Sequence, residues 1–165
     1  MRSTQHNEQI LFEITIGRKN MQYRIVSSAK NINSEEVLRL LKMTYWANNR
    51  TIEQIEESLA NSFCYGMFLD DDRLVGFARV ISDLATTYYL CDVIIDPKYQ
   101  HQGLGKSLVS HIVSLPQYRK LRGILLTKDA HGLYEKFGFE TVKDREMFSY
   151  CFMVMGKTAS ISRIR

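Results

Sequence analysis

The sequence, which is 165 residues long, lacks several features that would point to a membrane or a nucleic acid. No apolar run approaches the ~20 residues that a membrane-spanning helix needs, so we expect no membrane partner. The first residues, MRSTQHNEQ, lack the hydrophobic core of a signal peptide. Lysine and arginine are scattered without a long basic run, so the net charge of +4 does not predict nucleic-acid binding.

Cysteine is scarce as well. Cys64, Cys91 and Cys151 are odd in number and lie in apolar segments, which is typical of free buried thiols and not of a disulfide framework. We therefore expect a reducing compartment, the cytoplasm. The histidines have no zinc-ligand spacing, so no metal is expected. Without repeats, low-complexity segments or linkers, residues 1–165 predict a single domain with a fraying tail at 156–165.

The most informative stretch runs from residue 89 to residue 115. It begins with an apolar, β-branched strand that Asp96 and Pro97 end, because proline cannot donate a hydrogen bond to a sheet. A turn with Gly103 and Gly105 then opens onto an amphipathic helix, and such a helix N-terminus binds phosphate. Neither common nucleotide motif fits, because Gln100 and a leucine at 108 stand where glycines are required.

The rest of the chain predicts further strands and helices in a defined order. Two strands within 9–28 flank a hairpin turn at 17–20, and helices follow a cap at Asn33 or Ser34 and a capping box at Thr51. The first of these helices is expected to extend towards Tyr45. Two strands around a turn at 70–72 precede the stretch above. A short buried strand at 123–127, a brief helix at 130–136 capped by Asp129, and strands near 140–142 and 147–155 complete the prediction.

Two motifs resemble those of the GNAT superfamily of N-acetyltransferases. Residues 100–105, QHQGLG, follow a strand and a proline and resemble the acyl-CoA pyrophosphate loop, [QR]-x-x-G-x-[GA]. Residues 129–139, DAHGLYEKFGF, are similar to the second motif, A-x-x-L-Y-x-x-x-G-F. The likeness spans about 22–155. It implies an α/β fold with a mixed, mostly antiparallel sheet, helices on both faces, and a splayed parallel strand pair that binds acetyl-CoA.

The resemblance also implies which residues bind the cofactor. The backbone of Val93, Ile94 and Ile95 is expected to hydrogen-bond the pantetheine arm and the thioester. The loop is expected to surround the pyrophosphate with Gln100, His101, Gln102, Gly103, Leu104, Gly105 and Lys106. Lys106 adds a positive charge there, or is simply a solvated helix lysine.

Catalytic roles are implied for two residues. Relatives often place a tyrosine at the position of Tyr134, where its hydroxyl protonates the leaving thiolate, although it also suits packing over the cofactor. Asp92 precedes the thioester-binding residues, and a carboxylate in so apolar a strand needs a function or a partner. It is a candidate base or amine anchor, or the ion-pair partner of Arg79 or Arg50. His131 and a water chain are the other candidate bases.

The acceptor side of the site is less defined. Tyr45 and Trp46 are expected to end the first helix, where relatives place a wall of the acceptor pocket, although core packing suits each residue alone. Thr127 stands where many relatives carry an asparagine that touches CoA, so this contact is in doubt. Cys91 is expected on the strand face opposite Asp92, so no acetyl-cysteine intermediate is predicted.

These patterns predict an acetyl-CoA-dependent N-acetyltransferase that transfers the acetyl group directly to a primary amine of a small molecule. Two alternatives remain at this point: acetylation of a protein N-terminus or lysine, and a CoA-binding sensor without turnover. The resemblance is also compatible with a homodimer.

Overall fold

The computed structural model describes residues 9–16, 19–69 and 71–141, with side chains in 22–69 and 71–141. In this part of the chain six strands form one sheet in sequence order: β1 Gln9–Ile16, β2 Lys19–Val26, β3 Phe63–Leu69, β4 Leu74–Ser82, β5 Thr87–Ile95 and β6 Arg122–Ile124. Neighbouring strands are antiparallel except for β5 and β6, which are parallel. The predicted mixed, mostly antiparallel sheet is confirmed.

The described residues also form four α-helices: α1 Ser34–Leu41, α2 Ile52–Ala60, α3 Leu104–Ser114 and α4 His131–Tyr134. Asn33, and not Ser34, caps α1, because its side chain accepts hydrogen bonds from two backbone N–H groups of the first turn. The capping box predicted at Thr51 is confirmed. Within the described ranges no helix has the length and apolarity needed to cross a bilayer.

Helices cover both faces of the sheet, as predicted. On one face α3 packs on a cluster that includes Val75, Leu90 and Tyr134. On the other face α1 and α2 pack on a second cluster, to which Leu74 and Phe77 belong. Leu74 and Val75 are neighbours on β4 and enter opposite clusters, because side chains alternate across a strand. The sheet therefore separates two apolar layers, and β4 and β5 contribute to both.

The first helix is shorter than predicted. It ends at Leu41, and the chain then turns around Thr44, whose hydroxyl donates to the carbonyl of Leu41 at 2.7 Å and accepts from the N–H of Ala47 at 3.1 Å. Thr44 and Ala47 are buried. Tyr45 and Trp46 lie between them, beyond the end of the helix and exposed, so their assignment to the helix end and to the core was wrong.

Other boundaries also differ. Lys19 and Asn20, which were predicted in the turn at 17–20, already lie in β2 and pair with Ile16 and Thr15, whereas residues 17–18 lie outside the described residues. The short strand covers only Arg122–Ile124, and its burial was wrong because Ile124 is 41% exposed on a strand that pairs only with β5 in the described part of the chain. Helix α4 is capped at Ala130 and not at Asp129.

Several predictions fall outside the described residues. They concern Cys151, the strand near 147–155 and the tail at 156–165. Of the strand predicted near 140–142, only Glu140 and Thr141 are described, and neither lies in a strand.

Candidate active site

Strand β5 is bulged in its second half. The pairs Arg79 with Cys91 and Phe77 with Ile94 leave one residue of β4 opposite two residues of β5. Asp92 lies in this bulge with a φ of +54°, a conformation that few non-glycine residues adopt. Among the described residues, the pairing of β5 with β6 ends at Tyr89. In the described part of the chain, the backbone of 90–95 therefore has a neighbouring strand on the β4 side only, and its other edge is free there to pair with a ligand.

The glycine loop follows this open edge directly. Gly103 caps α3 with a φ of +86°, and His101 is also left-handed with a φ of +62°. A side chain at Gly103 would meet no atom within 4 Å. The amide of Gln100 donates to the carbonyl of Ile95 at 2.9 Å and ties the loop to the end of β5. The space beside Gly103 is thus open at the first N–H groups of α3, which leaves room for a phosphate such as the CoA pyrophosphate.

The same loop is tied to α1 by an interaction that the sequence did not reveal. Arg39 donates to Asp96 Oδ2 at 2.9 Å and to the carbonyl of Leu74 at 2.7 Å. The other carboxylate oxygen of Asp96 accepts from the N–H of Lys98. Burial acts to raise the pKa of Asp96, but these hydrogen bonds and the charge of Arg39 outweigh it and hold the pKa below its ordinary value. Asp96 is therefore a fixed anchor between β5, the loop and α1.

Asp92 is enclosed by two arginines. Arg50 donates to both of its carboxylate oxygens, at 2.6 and 2.8 Å, and Arg79 Nε donates to Oδ2 at 2.9 Å. Burial acts to raise the pKa of Asp92, yet the hydrogen bonds and charges of both arginines outweigh it and hold the pKa below its ordinary value. The predicted pairing with Arg79 or Arg50 is confirmed for both residues.

Cys91 lies near the same charges. Burial raises the pKa of its thiol to about 12, and the charges of Arg79, Asp92 and Arg50 also act on it. The bulge interrupts the alternation of the strand between Cys91 and Asp92, so the expectation of opposite faces does not hold. A thiol with so high a pKa is protonated at neutral pH and is a poor nucleophile.

Tyr134 is buried on the face of the sheet that α3 covers. It packs edge-on against Phe139 at a centroid distance of 6.0 Å. Burial, aided by the charge of Asp129, raises the pKa of Tyr134 to about 12. Its hydroxyl is therefore protonated across the physiological range. The hydroxyl of Thr127 accepts a hydrogen bond from the N–H of Ala130 at 3.0 Å and so stabilises the turn before α4.

The exposed aromatic pair meets the loop that follows β6. Tyr45 and Trp46 are 59% and 45% exposed and stack edge to face at 4.9 Å. The ammonium group of Lys128 lies 5.4 Å from the centre of the Tyr45 ring, a cation–π contact. The loop after α1 thus reaches the loop after β6. His101, Lys106 and His131 are exposed.

Comparison with known proteins finds similarity to acetyltransferases. The family model of an acetyltransferase (GNAT) domain matches residues 61–141. The protein named uncharacterized N-acetyltransferase ycf52 from Pyropia yezoensis is 31% identical over 72% of this chain and 70% of its own length. Histone acetyltransferase TAP1 from Glycine max is 28% identical over 79% of this chain and 62% of its own length.

A solved structure has the same fold. A crystal structure from Xanthomonas campestris pv. campestris, assigned to the GNAT family, superposes with a TM-score of 0.70 at 32% identity and covers 79% of this chain and 93% of that one. Both the sequence and the fold are thus similar to those of acetyltransferases over most of the described chain. The chain belongs to the GNAT family of acetyltransferases.

Proposed function

We propose that the protein transfers an acetyl group from acetyl-CoA directly to a primary amine of a small molecule. The observation that carries this proposal is the continuity of the open edge of β5 with the glycine loop that opens α3. In this arrangement Val93, Ile94 and Ile95 offer backbone groups to the pantetheine arm. The N–H groups of the loop 100–106 bind the pyrophosphate, because unpaired donors at a helix N-terminus attract anions.

Tyr134 is our proposed general acid. Its raised pKa keeps the hydroxyl protonated, so that it has a proton to donate when the thiolate of CoA leaves. Its membership of the same apolar cluster as Leu90 and Ile95 supports a position near the thioester. The alternative role, packing over the cofactor alone, is distinguished by a Phe variant.

For Asp92 the contacts favour a positioning role over that of a base. Three hydrogen bonds from arginines occupy both of its oxygens, and its lowered pKa makes it a weak proton acceptor. The incoming amine must still lose a proton, because an alkylamine with a pKa of about 10.4 is protonated near pH 7. We propose that water carries this proton away, directly or with the exposed His131 as the acceptor.

Direct transfer is favoured over a covalent acetyl-enzyme. The nearest cysteine to the proposed thioester site in the described chain is Cys91, and its pKa of about 12 leaves almost no thiolate at neutral pH. The free thiols of Cys64 and Cys91 also support a reducing compartment, for which we propose the cytoplasm.

The test is the release of free thiol from acetyl-CoA with a panel of polyamines, aminoglycosides, arylalkylamines, amino acids and peptides. We expect release with one class of small amine, and acetyl-CoA binding measured by calorimetry. Because one relative is named a histone acetyltransferase, histone peptides belong in the panel. Turnover of peptides alone would contradict the small-molecule acceptor, and binding of acetyl-CoA without turnover by any acceptor would favour a sensor.

A further inference from the structure

A polar pocket lies beside the bulge of β5. It has a volume of about 370 Å³, which is at the lower end of the range for small-molecule sites. It lies between α2, with the residues just before this helix, and β4. Its lining consists of Asn49, Arg50, Gln54, Ser58 and Arg79. Every one of these side chains is polar, so the pocket is suited to a polar ligand.

The charges in this pocket do not cancel. Arg50 and Arg79 share a single carboxylate, Asp92, which leaves one excess positive charge. Arg79 is only 13% exposed, and it contacts Asp92 through Nε. The described residues offer its Nη1 and Nη2 atoms no partner. A largely buried cation without full compensation is costly. The planar fork of a guanidinium is matched to carboxylate and phosphate oxygens.

The neutral groups of the lining complete a site for an anion. Asn49 and Gln54 each carry an amide donor, whereas the hydroxyl of Ser58 already donates to the carbonyl of Ile55 at 2.8 Å. No acidic side chain lines the pocket, and Asp92, which lies against both arginines, is fully engaged with them. A negatively charged group entering here would therefore meet donors and one uncompensated positive charge.

The position of the pocket limits the distance between a negatively charged group bound there and the amine that receives the acetyl group. Asp92 precedes Val93 and Ile94, which we propose to hold the thioester, and a strand rises about 3.3 Å per residue. Asp92, which binds both arginines, thus lies within about 7 Å of the proposed acetyl position along the strand. An acceptor that reaches both places carries its amine a few bonds from its anionic group.

We propose that this pocket binds an anionic group, a carboxylate or a phosphate, of the amine acceptor. The inference rests on the proposed function and deepens it: the acceptor is an amino acid or a similar small amine with an acidic group.

The test compares matched acceptors that differ only in the anionic group. One arm pairs amino acids with their amides, and the other pairs amino-sugar phosphates with the free amino sugars. For one arm we expect kcat/KM to be about 10- to 100-fold higher for the charged member, the range of a charge-assisted hydrogen bond. The arm that shows this preference identifies the group as a carboxylate or a phosphate.

Variants then assign the preference to the pocket. Arg79→Gln should reduce the ratio between charged and neutral acceptors to near 1. Arg79→Lys, which retains the charge and loses the fork, should give an intermediate ratio. Arg119→Gln removes an exposed guanidinium that contacts only the carbonyl of Ser114 in the described chain, and it should leave the ratio unchanged. Thermal unfolding checks that each variant is folded. If Arg79→Gln does not fold, the ratio measured for Arg79→Lys tests the inference by itself.

Equal rates for charged and neutral acceptors, or a ratio that Arg79 variants leave unchanged, would overturn the inference while the acetyltransferase remains. If neither arm is acetylated, calorimetry with CoA present measures binding of the same pairs, and equal affinity for both members overturns it as well. Loss of the proposed function has separate signatures, namely no binding of acetyl-CoA, or binding of acetyl-CoA without turnover of any acceptor in the full panel.

Discussion

The ion cluster around Asp92 makes a quantitative prediction about stability. Asp92→Asn removes the charge that compensates Arg50 and Arg79, whose side chains are 26% and 13% exposed, whereas the side chain of Asp92 is 3% exposed. Breaking a buried ion pair from one side costs about 3–5 kcal/mol. Because water reaches part of Arg50, we expect a loss of about 3 kcal/mol in the free energy of unfolding, and a Tm lower by about 6–12 °C.

The matched control is Asp71→Asn. Asp71 also pairs with an arginine, Arg73, but both side chains are about half exposed. Surface pairs of this kind contribute at most about 1 kcal/mol, so this variant should unfold within about 3 °C of the wild type. Urea and thermal unfolding followed by circular dichroism measure both variants, and calorimetric unfolding provides the enthalpy.

The pH dependence of the same variant tests the cause. The pKa of Asp92 is lowered in the folded protein, so its carboxylate stabilises the fold fully above the unfolded pKa of about 3.9, and this contribution is lost as the pH falls through the folded pKa. The stability gap between wild type and Asp92→Asn should be constant above about pH 5 and should narrow in more acidic solution. A gap equal to that of Asp71→Asn, or one that does not change with acid, would refute the reasoning.

Three further predictions concern the loop, the tyrosine and a helix cap. Gly103→Val places a β-branched residue at a φ of +86° and fills the phosphate cradle, so the Kd for acetyl-CoA should rise at least about 10-fold in calorimetry, whereas Gly132→Ala, at an open position, should not change it. Tyr134→Phe should lower kcat about 100-fold and leave the Kd for acetyl-CoA unchanged; an unaltered kcat would remove Tyr134 from the mechanism. Thr51→Ala removes the capping box of α2 and should cost about 1 kcal/mol in urea unfolding, and no loss would contradict the cap.

The order of elements and the glycine loop were predictable because their signals are local. A strand ended by proline, a left-handed glycine and an amphipathic helix each depend on neighbouring residues, and Gly103 and α3 are found where the pattern placed them. The second motif contains the brief helix predicted at 130–136, and Gly138, which follows it, has the left-handed conformation typical of a helix C-terminus. The cap of α4 was misplaced because Thr127, two residues before Asp129, makes the hydrogen bond that fixes this turn.

The arginines that pair with Asp92 and Asp96 were less predictable because they are distant from these residues in sequence. Arg50 and Asp92 are 42 residues apart, and Arg39 and Asp96 are 57 residues apart. A carboxylate in an apolar strand predicts a partner such as Arg79 or Arg50 for Asp92, and no sequence pattern points to Arg39. The bulge at Asp92 was missed as well, because a positive φ at an aspartate has no sequence signal comparable to glycine.

The bulge in β5 changes which of its residues face each side of the sheet. Before it, Leu90 faces the cluster under α3; after it, Ile95 faces that cluster and Ile94 faces the one under α1 and α2. Even-numbered residues therefore change sides partway along a single strand. A deletion at Asp92 would remove the extra residue of the bulge, so Ile94 and Ile95 would keep their present sides and Ile94 would still pair with Phe77. A deletion just after the bulge, at Val93, would instead leave a residue of β4 unmatched unless Asp92 entered the regular pairing in its place. Loss of one residue here therefore costs the carboxylate between Arg50 and Arg79 before it costs the strand pairing.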